Sequence, residues 1–213
     1  MKGARCMIRI VCVLMAGLIL SATSVLRADE RRPYFEIDTG FTIPVSEGLS
    51  DFWNSGLGMG VKAGYVLNSK YSLLGSVDFT RFGINPGKLL AANGYSTNEG
   101  TVEKGNVKTL AVFANLKFGG IRREDLRTVP FFMVGAGFFR FSSDEILTVS
   151  LVDNFRESVT PFSENTFGIT AGGGVNIQLT DRIDLVLEGR FVVGFTPESS
   201  TQYFPVKVGI GFQ

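Results

Sequence analysis

The chain contains no histidine, and its two cysteines, Cys6 and Cys12, both fall in the first dozen residues. Without histidine there is no Ser-His-Asp or Cys-His nucleophilic machinery and no His-based metal site. Charge is also sparse, 19% of residues against about 25% in an ordinary soluble domain. Lys and Arg number 21 against 20 Asp and Glu, so no basic excess points to nucleic acid. Long hydrophobic runs are nearly absent. The one such run, Ile10 to Leu20, has 11 residues, well short of the ~20 that a spanning helix needs. What the chain has in quantity is glycine, 26 residues, and phenylalanine, 19.

The short apolar run follows Lys2, Arg5 and Arg9 and precedes SATSVLRA, which offers Ala28 as a small cleavage residue. That order is the pattern of a secretory signal peptide. Residues 1–28 are therefore read as a removable export signal and residues 29–213 as the exported domain. Both cysteines leave with the signal, so the mature chain has no disulfide to stabilise it in a compartment that permits one. With no later apolar run, a membrane-embedded form of this chain has one architecture left. It is a closed β-barrel, because every backbone N–H and C=O in lipid must be paired internally.

The rest of the chain alternates with a period of two, which places successive side chains on opposite faces of a strand. The terminal FPVKVGIGFQ puts Phe204, Val206, Val208, Ile210 and Phe212 on one face, with Pro205, Lys207, Gly209 and Gly211 on the other. The same pattern runs through YFEIDTGFTIP, GLGMGVKAGYVL, YSLLGSVDFTRFG, VKTLAVFANLKFG, TFGITAGGGVNIQL and IDLVLEGRFVVGF. In PFFMVGAGFFRF both faces are apolar, and the glycines assign Phe132, Val134, Ala136 and Phe138 outward. Eight such segments of spanning length predict an all-β, eight-stranded, antiparallel up-and-down transmembrane barrel. Short connections at LNSKY and LTDRID alternate with long ones at 85–106 and 142–165. The longer ones are expected outside the cell and the short ones in the periplasm. Within 142–165, EILTVSLV followed by Asp153-Asn154 suggests a hairpin arm.

Period alone does not say which face is inside, since a soluble lipocalin-type barrel is apolar within. Composition favours the membrane barrel. The polar face is mostly Gly, Ser, Thr and Asn, as a narrow lumen requires. The apolar face carries aromatics near strand ends, Phe35, Tyr65, Tyr71, Phe118, Phe167, Phe195, Phe204 and Phe212, in the manner of interfacial girdles.

On this strand pattern, the glycine-rich inner face of GVKAGY and TAGGGVNIQL, and the end FPVKVGIGFQ, the chain resembles the small eight-stranded outer-membrane barrels of the OmpA/OmpX type. The resemblance implies an outer-membrane location and a last strand read by the barrel-assembly machinery. Phe204, Val206, Val208, Ile210 and Phe212 form that signal, although Gln213 follows the aromatic. The sequence stops at the barrel, without the periplasmic peptidoglycan-binding domain that OmpA itself has, so a wall-tethering role is not expected.

Inward parity collects Glu36, Asp38, Lys62, Asp78, Lys117, Glu188, Arg190 and Lys207. Buried charges require partners, so these eight are expected to form an ion-pair network that plugs the lumen. The alternative is a charged gate in a narrow channel for small or hydrophobic solutes. Arg81 and Arg140 share outward parity near the outer rim and suit lipopolysaccharide phosphates, the other reading being ordinary solvated charges. Phe52 and Trp53 in the first outer loop are expected to pack on the rim or to anchor a partner. The function expected is structural or surface-interacting, with outer-membrane lipid as surroundings and an extracellular ligand held by the loops. No cofactor, metal or nucleic acid is expected. Enzymatic activity is not expected either, and a lipid-modifying barrel enzyme is disfavoured by the missing histidine.

Overall fold

A computed structural model describes residues 32–46, 50–92, 100–121, 126–150, 156–195 and 200–213. The expected signal peptide and its cleavage point lie outside the described residues, as does the turn at Asp153-Asn154.

Eight strands close into one barrel: β1 (Arg32–Pro44), β2 (Gly56–Val66), β3 (Tyr71–Gly83), β5 (Asn106–Gly119), β6 (Thr128–Ser143), β9 (Phe162–Gln178), β10 (Ile183–Phe195) and β11 (Ser200–Phe212). Each pairs antiparallel with its sequence neighbours in the barrel, and β1 meets β11 from Phe35↔Phe212 to Pro44↔Tyr203. The seam leaves no unpaired edge, the condition lipid imposes. Along β2 and β11, buried and exposed positions alternate almost without a break, which is the sequence period made structural.

The short turns follow from local chemistry. Between β2 and β3, Asn68 Oδ1 accepts the backbone N–H groups of Lys70 and Tyr71 at 2.8 and 3.0 Å, a turn that an Asn side chain nucleates. Between β9 and β10, Thr180 Oγ1 accepts the N–H of Ile183 at 3.1 Å. Strand β5 ends on Gly119 and is followed by Gly120, and their φ values of 81° and 67° favour glycine. The chain's described ends, Arg32 and Gln213, share this end of the barrel with the short turns.

At the opposite end the connections have structure of their own. Asn85 caps the seven-residue helix α1 (Pro86–Ala92), its Oδ1 accepting the Lys88 N–H at 3.2 Å, as a helix-capping Asn does. Strands β7 (Ile146–Ser150) and β8 (Arg156–Val159) pair as a hairpin arm, and β4 (Gly100–Lys104), from the preceding long connection, joins them. The result is a three-stranded sheet in the order β4-β7-β8. Trp53 bridges to Ile84 and packs on the aromatic residues at the mouth of the barrel.

Two expectations need correction. The last strand begins at Ser200 rather than Phe204. The inner face is also less uniformly small and polar than composition implies. Phe82, Phe113, Phe139 and Tyr203 point inward and are at most 2% exposed, and Phe131 and Met133 join them nearer the short turns. Glycines opposite them make the room. A Cβ on Gly194 would come 2.8 Å from the Phe139 ring, and one on Gly174 would come 2.8 Å from Phe131 Cζ. Small residues on one strand seat large ones from another, as a narrow barrel requires.

Candidate functional site

Register places the inward charges at mid-height. Lys62 Nζ lies 2.5 Å from Glu36 Oε1, 2.9 Å from Asp38 Oδ2 and 3.0 Å from Glu188 Oε2. Lys207 Nζ lies 2.7 Å from Asp38 Oδ1 and also bonds Asp78. Arg190 reaches across the lumen from β10 to β3, its Nη2 2.8 Å from Asp78 Oδ1, while its Nε lies 2.6 Å from Glu188 Oε1.

Followed in order, these contacts close on themselves: Lys62, Asp38, Lys207, Asp78, Arg190, Glu188 and back to Lys62. The result is a ring of alternating charge, three cations and three carboxylates, contributed by β1, β2, β3, β10 and β11. Every charge in it has an opposite neighbour on each side. Gly60 is its seat. A Cβ there would lie 2.6 Å from Asp78 Oδ1, 2.8 Å from Asp38 Oδ1 and 2.8 Å from Lys207 Nζ.

Glu36 hangs from the ring on Lys62. Its second oxygen accepts the Tyr34 hydroxyl at 2.5 Å, and that hydroxyl lies 3.4 Å from Lys117 Nζ. Lys117 thus stands apart from the ring. It sits 4.0 Å from the Phe131 ring centroid and 4.9 Å from that of Tyr34, and donates to Asn176 Oδ1 at 3.2 Å. The aromatic faces attract its ammonium through their quadrupoles. On the other side, Ser76 donates to Asp78 at 3.1 Å and accepts from Asn115 at 3.0 Å. Tyr34, Ser76, Asn115 and Asn176 were not singled out in the sequence. Their inward parity was visible, but their reach to specific charges depends on how the barrel is sheared.

Apolar side chains lie above and below. Towards the long loops, Phe82, Val107, Ala111, Phe113, Phe139, Val192 and Tyr203 form one cluster, with Phe82–Tyr203 and Phe139–Tyr203 centroids 5.9 Å apart. Towards the short turns lie Tyr34, Val66 and Leu74, then Phe131, Met133 and Val186.

The outward face carries Phe204, Val206, Val208 and Phe212, each at least 36% exposed. Phe212 pairs with Phe35 across the seam, ring centroids 6.2 Å apart. Gln213 continues past it, its side chain donating to Asp184 Oδ2 at 2.6 Å. At the long-loop end, Arg81 Nε donates to Asn106 Oδ1 at 3.1 Å and Arg140 Nε to Ser163 Oγ at 3.0 Å. Between their strands stands Lys108, which the sequence reading missed because it opens β5 beside a long connection.

A closed eight-stranded antiparallel barrel, apolar outside and charged within, is a transmembrane β-barrel of the small outer-membrane class. The sequence model of the outer membrane protein beta-barrel domain family matches residues 10–212, and the chain belongs to that family. It is an outer-membrane protein. Among solved structures it is similar to Neisserial surface protein A, with 16% identity over 86% of this chain and 99% of that one and a TM-score of 0.58. It is also similar to a major outer membrane protein from Thermus thermophilus, with 11% identity over 85% of this chain and 99% of that one and a TM-score of 0.51. At these identities the likeness shows the fold. No curated protein matches the chain in sequence.

Proposed function

We propose that this barrel is a non-conducting, non-enzymatic surface protein of the outer membrane. Its lumen is a plug, and its outer loops are the recognition surface for an extracellular ligand. The observation that carries the reading is the closed ring of six alternating charges with an apolar layer on each side. A hydrated pore needs unpaired polar groups facing water. Here each charge is ion-paired with opposite charges, and aromatic rings lie between them and the outer mouth.

The outer β4-β7-β8 sheet supports the second half of the proposal, since it ties two separate loops into one platform above the membrane. The outward row Phe204, Val206, Val208, Ile210 and Phe212 is the surface we assign to the barrel-assembly machinery. Against an enzymatic role stands the lack of any histidine in the chain.

Single-channel recording in a planar bilayer tests the plug. The wild-type protein is expected to be silent. Discrete openings would transfer the role to a narrow channel for small or hydrophobic solutes.

A further inference from the structure

Arg81 on β3 and Lys108 on β5 are direct cross-strand partners on the outward face. Like charges directly opposite one another destabilise a sheet. Arg140 on β6 adds to the conflict, because it lies diagonal to Lys108, whose own partner on β6 is Ser142. Three cations therefore stand side by side on three adjacent strands. Among the described residues one carboxylate reaches them: Asp144 lies 2.7 Å from Lys108 Nζ, with side chains 37% (Lys108) and 46% (Asp144) exposed. Among the same residues Arg81 and Arg140 have amide and hydroxyl partners but no carboxylate.

Their height is as telling as their charge. One outward position nearer mid-barrel on each strand is an exposed apolar residue: Phe79, Leu110 and Phe138. The cations therefore sit where the lipid-facing band ends. On neighbouring β2 and β9 the positions at this level are Leu57 and Asn165, paired with Arg81 and Arg140. The positive charge is a local patch rather than a belt.

We infer that Arg81, Lys108 and Arg140 form one binding site for the phosphate groups of a phosphorylated outer-leaflet lipid, with Asp144 as a resident counter-charge that competes for Lys108. A phosphate between Arg81 and Lys108 turns their repulsion into two charge-assisted contacts. The guanidinium of Arg140 gives a second phosphate its own donor fork. The acyl chains then lie along Phe79, Leu110 and Phe138. The inference rests on the outer-membrane setting but not on the plugged lumen. A conducting barrel could hold the lipid, and a silent one could fail to.

Native mass spectrometry of the protein, extracted in mild detergent and stripped of lipid, tests it with four probes. These are diphosphorylated lipid A, monophosphorylated lipid A, phosphatidylcholine and inorganic phosphate. Retention is expected to fall in that order, with inorganic phosphate unable to displace the bound lipid. Arg81→Gln, Lys108→Gln and Arg140→Gln should each weaken retention of the diphosphorylated lipid about fivefold. Asp144→Asn should strengthen it, the sign that a merely structural Lys108–Asp144 pair would not give. Trp53 emission and resistance of the folded band to detergent verify that each variant is intact. Equal retention by the folded triple variant, equal retention of phosphatidylcholine, displacement by inorganic phosphate, or weaker retention in Asp144→Asn would each overturn the assignment.

Discussion

The middle of the lumen and its outer third are filled by opposite means. At mid-height, six charged side chains hold one another through ion pairs. A few residues further out, Phe82, Phe113, Phe139 and Tyr203 fill the same bore with rings. Both layers rest on glycines, Gly60 below and Gly194 above. They differ in what a defect does. An apolar layer loses contacts roughly in proportion to the atoms removed. A buried charge ring loses far more when one member goes, because its neighbours are left desolvated and unpaired. The charge ring is thus the layer more sensitive to the loss of one member, and the aromatic layer is the more tolerant one.

The largest break in that contrast comes from the seat rather than from a charge. Gly60→Val would drive a branched side chain into the space that Asp78, Asp38 and Lys207 occupy. The ring has no room to retreat, since its members span the lumen from opposite walls. The barrel is expected not to refold into lipid vesicles, read as loss of the detergent-resistant folded band. A variant that folds as well as the wild type would show that the ring is not built around Gly60.

The next two substitutions place the same residue, methionine, in each layer. Arg190→Met keeps much of the volume but strips Asp78 and Glu188 of a shared partner. It should lower unfolding stability by about 3–5 kcal/mol in urea titrations. The charge imbalance, not the missing bulk, is the cause. If that is right, Arg190→Met combined with neutralisation of Asp78 and Glu188 should recover most of the loss. A double-mutant cycle without coupling would remove the ring from the account of stability.

Much of the barrel can be read from the sequence because lipid and lumen impose opposite demands on alternate residues. FPVKVGIGFQ and TAGGGVNIQL declare both faces, and the inward parity of Glu188, Arg190 and Lys62 follows directly. What parity does not carry is who meets whom. The contact between Arg190 and Asp78 spans the bore from β10 to β3, and its existence depends on the stagger accumulated over the intervening strands. For the same reason Lys117, equal to the others by parity, ends among Tyr34, Phe131 and Asn176 instead of in the ring. PFFMVGAGFFRF hid the aromatic layer, since both of its faces are apolar and only the glycines on β9 and β10 reveal where Phe131 and Phe139 find room. The outer sheet was half legible. The β7–β8 hairpin has a local signal, whereas β4 arrives from another loop.

Phe139→Met is the mild counterpart. The ring of Phe139 sits between Gly194 and Tyr203, and an unbranched thioether adapts to such a gap. The expected loss is about 1.5 kcal/mol or less, at most half of that for Arg190→Met, although the two positions are almost equally buried. Conductance sharpens the comparison further. If sealing belongs to the aromatic layer, the Arg190→Met barrel stays silent even when it is less stable, because Phe82, Phe139 and Tyr203 still block the path from the ring to the outer mouth. If instead it conducts while Phe139→Met stays silent, the ring is the seal, and the outer aromatics serve packing alone.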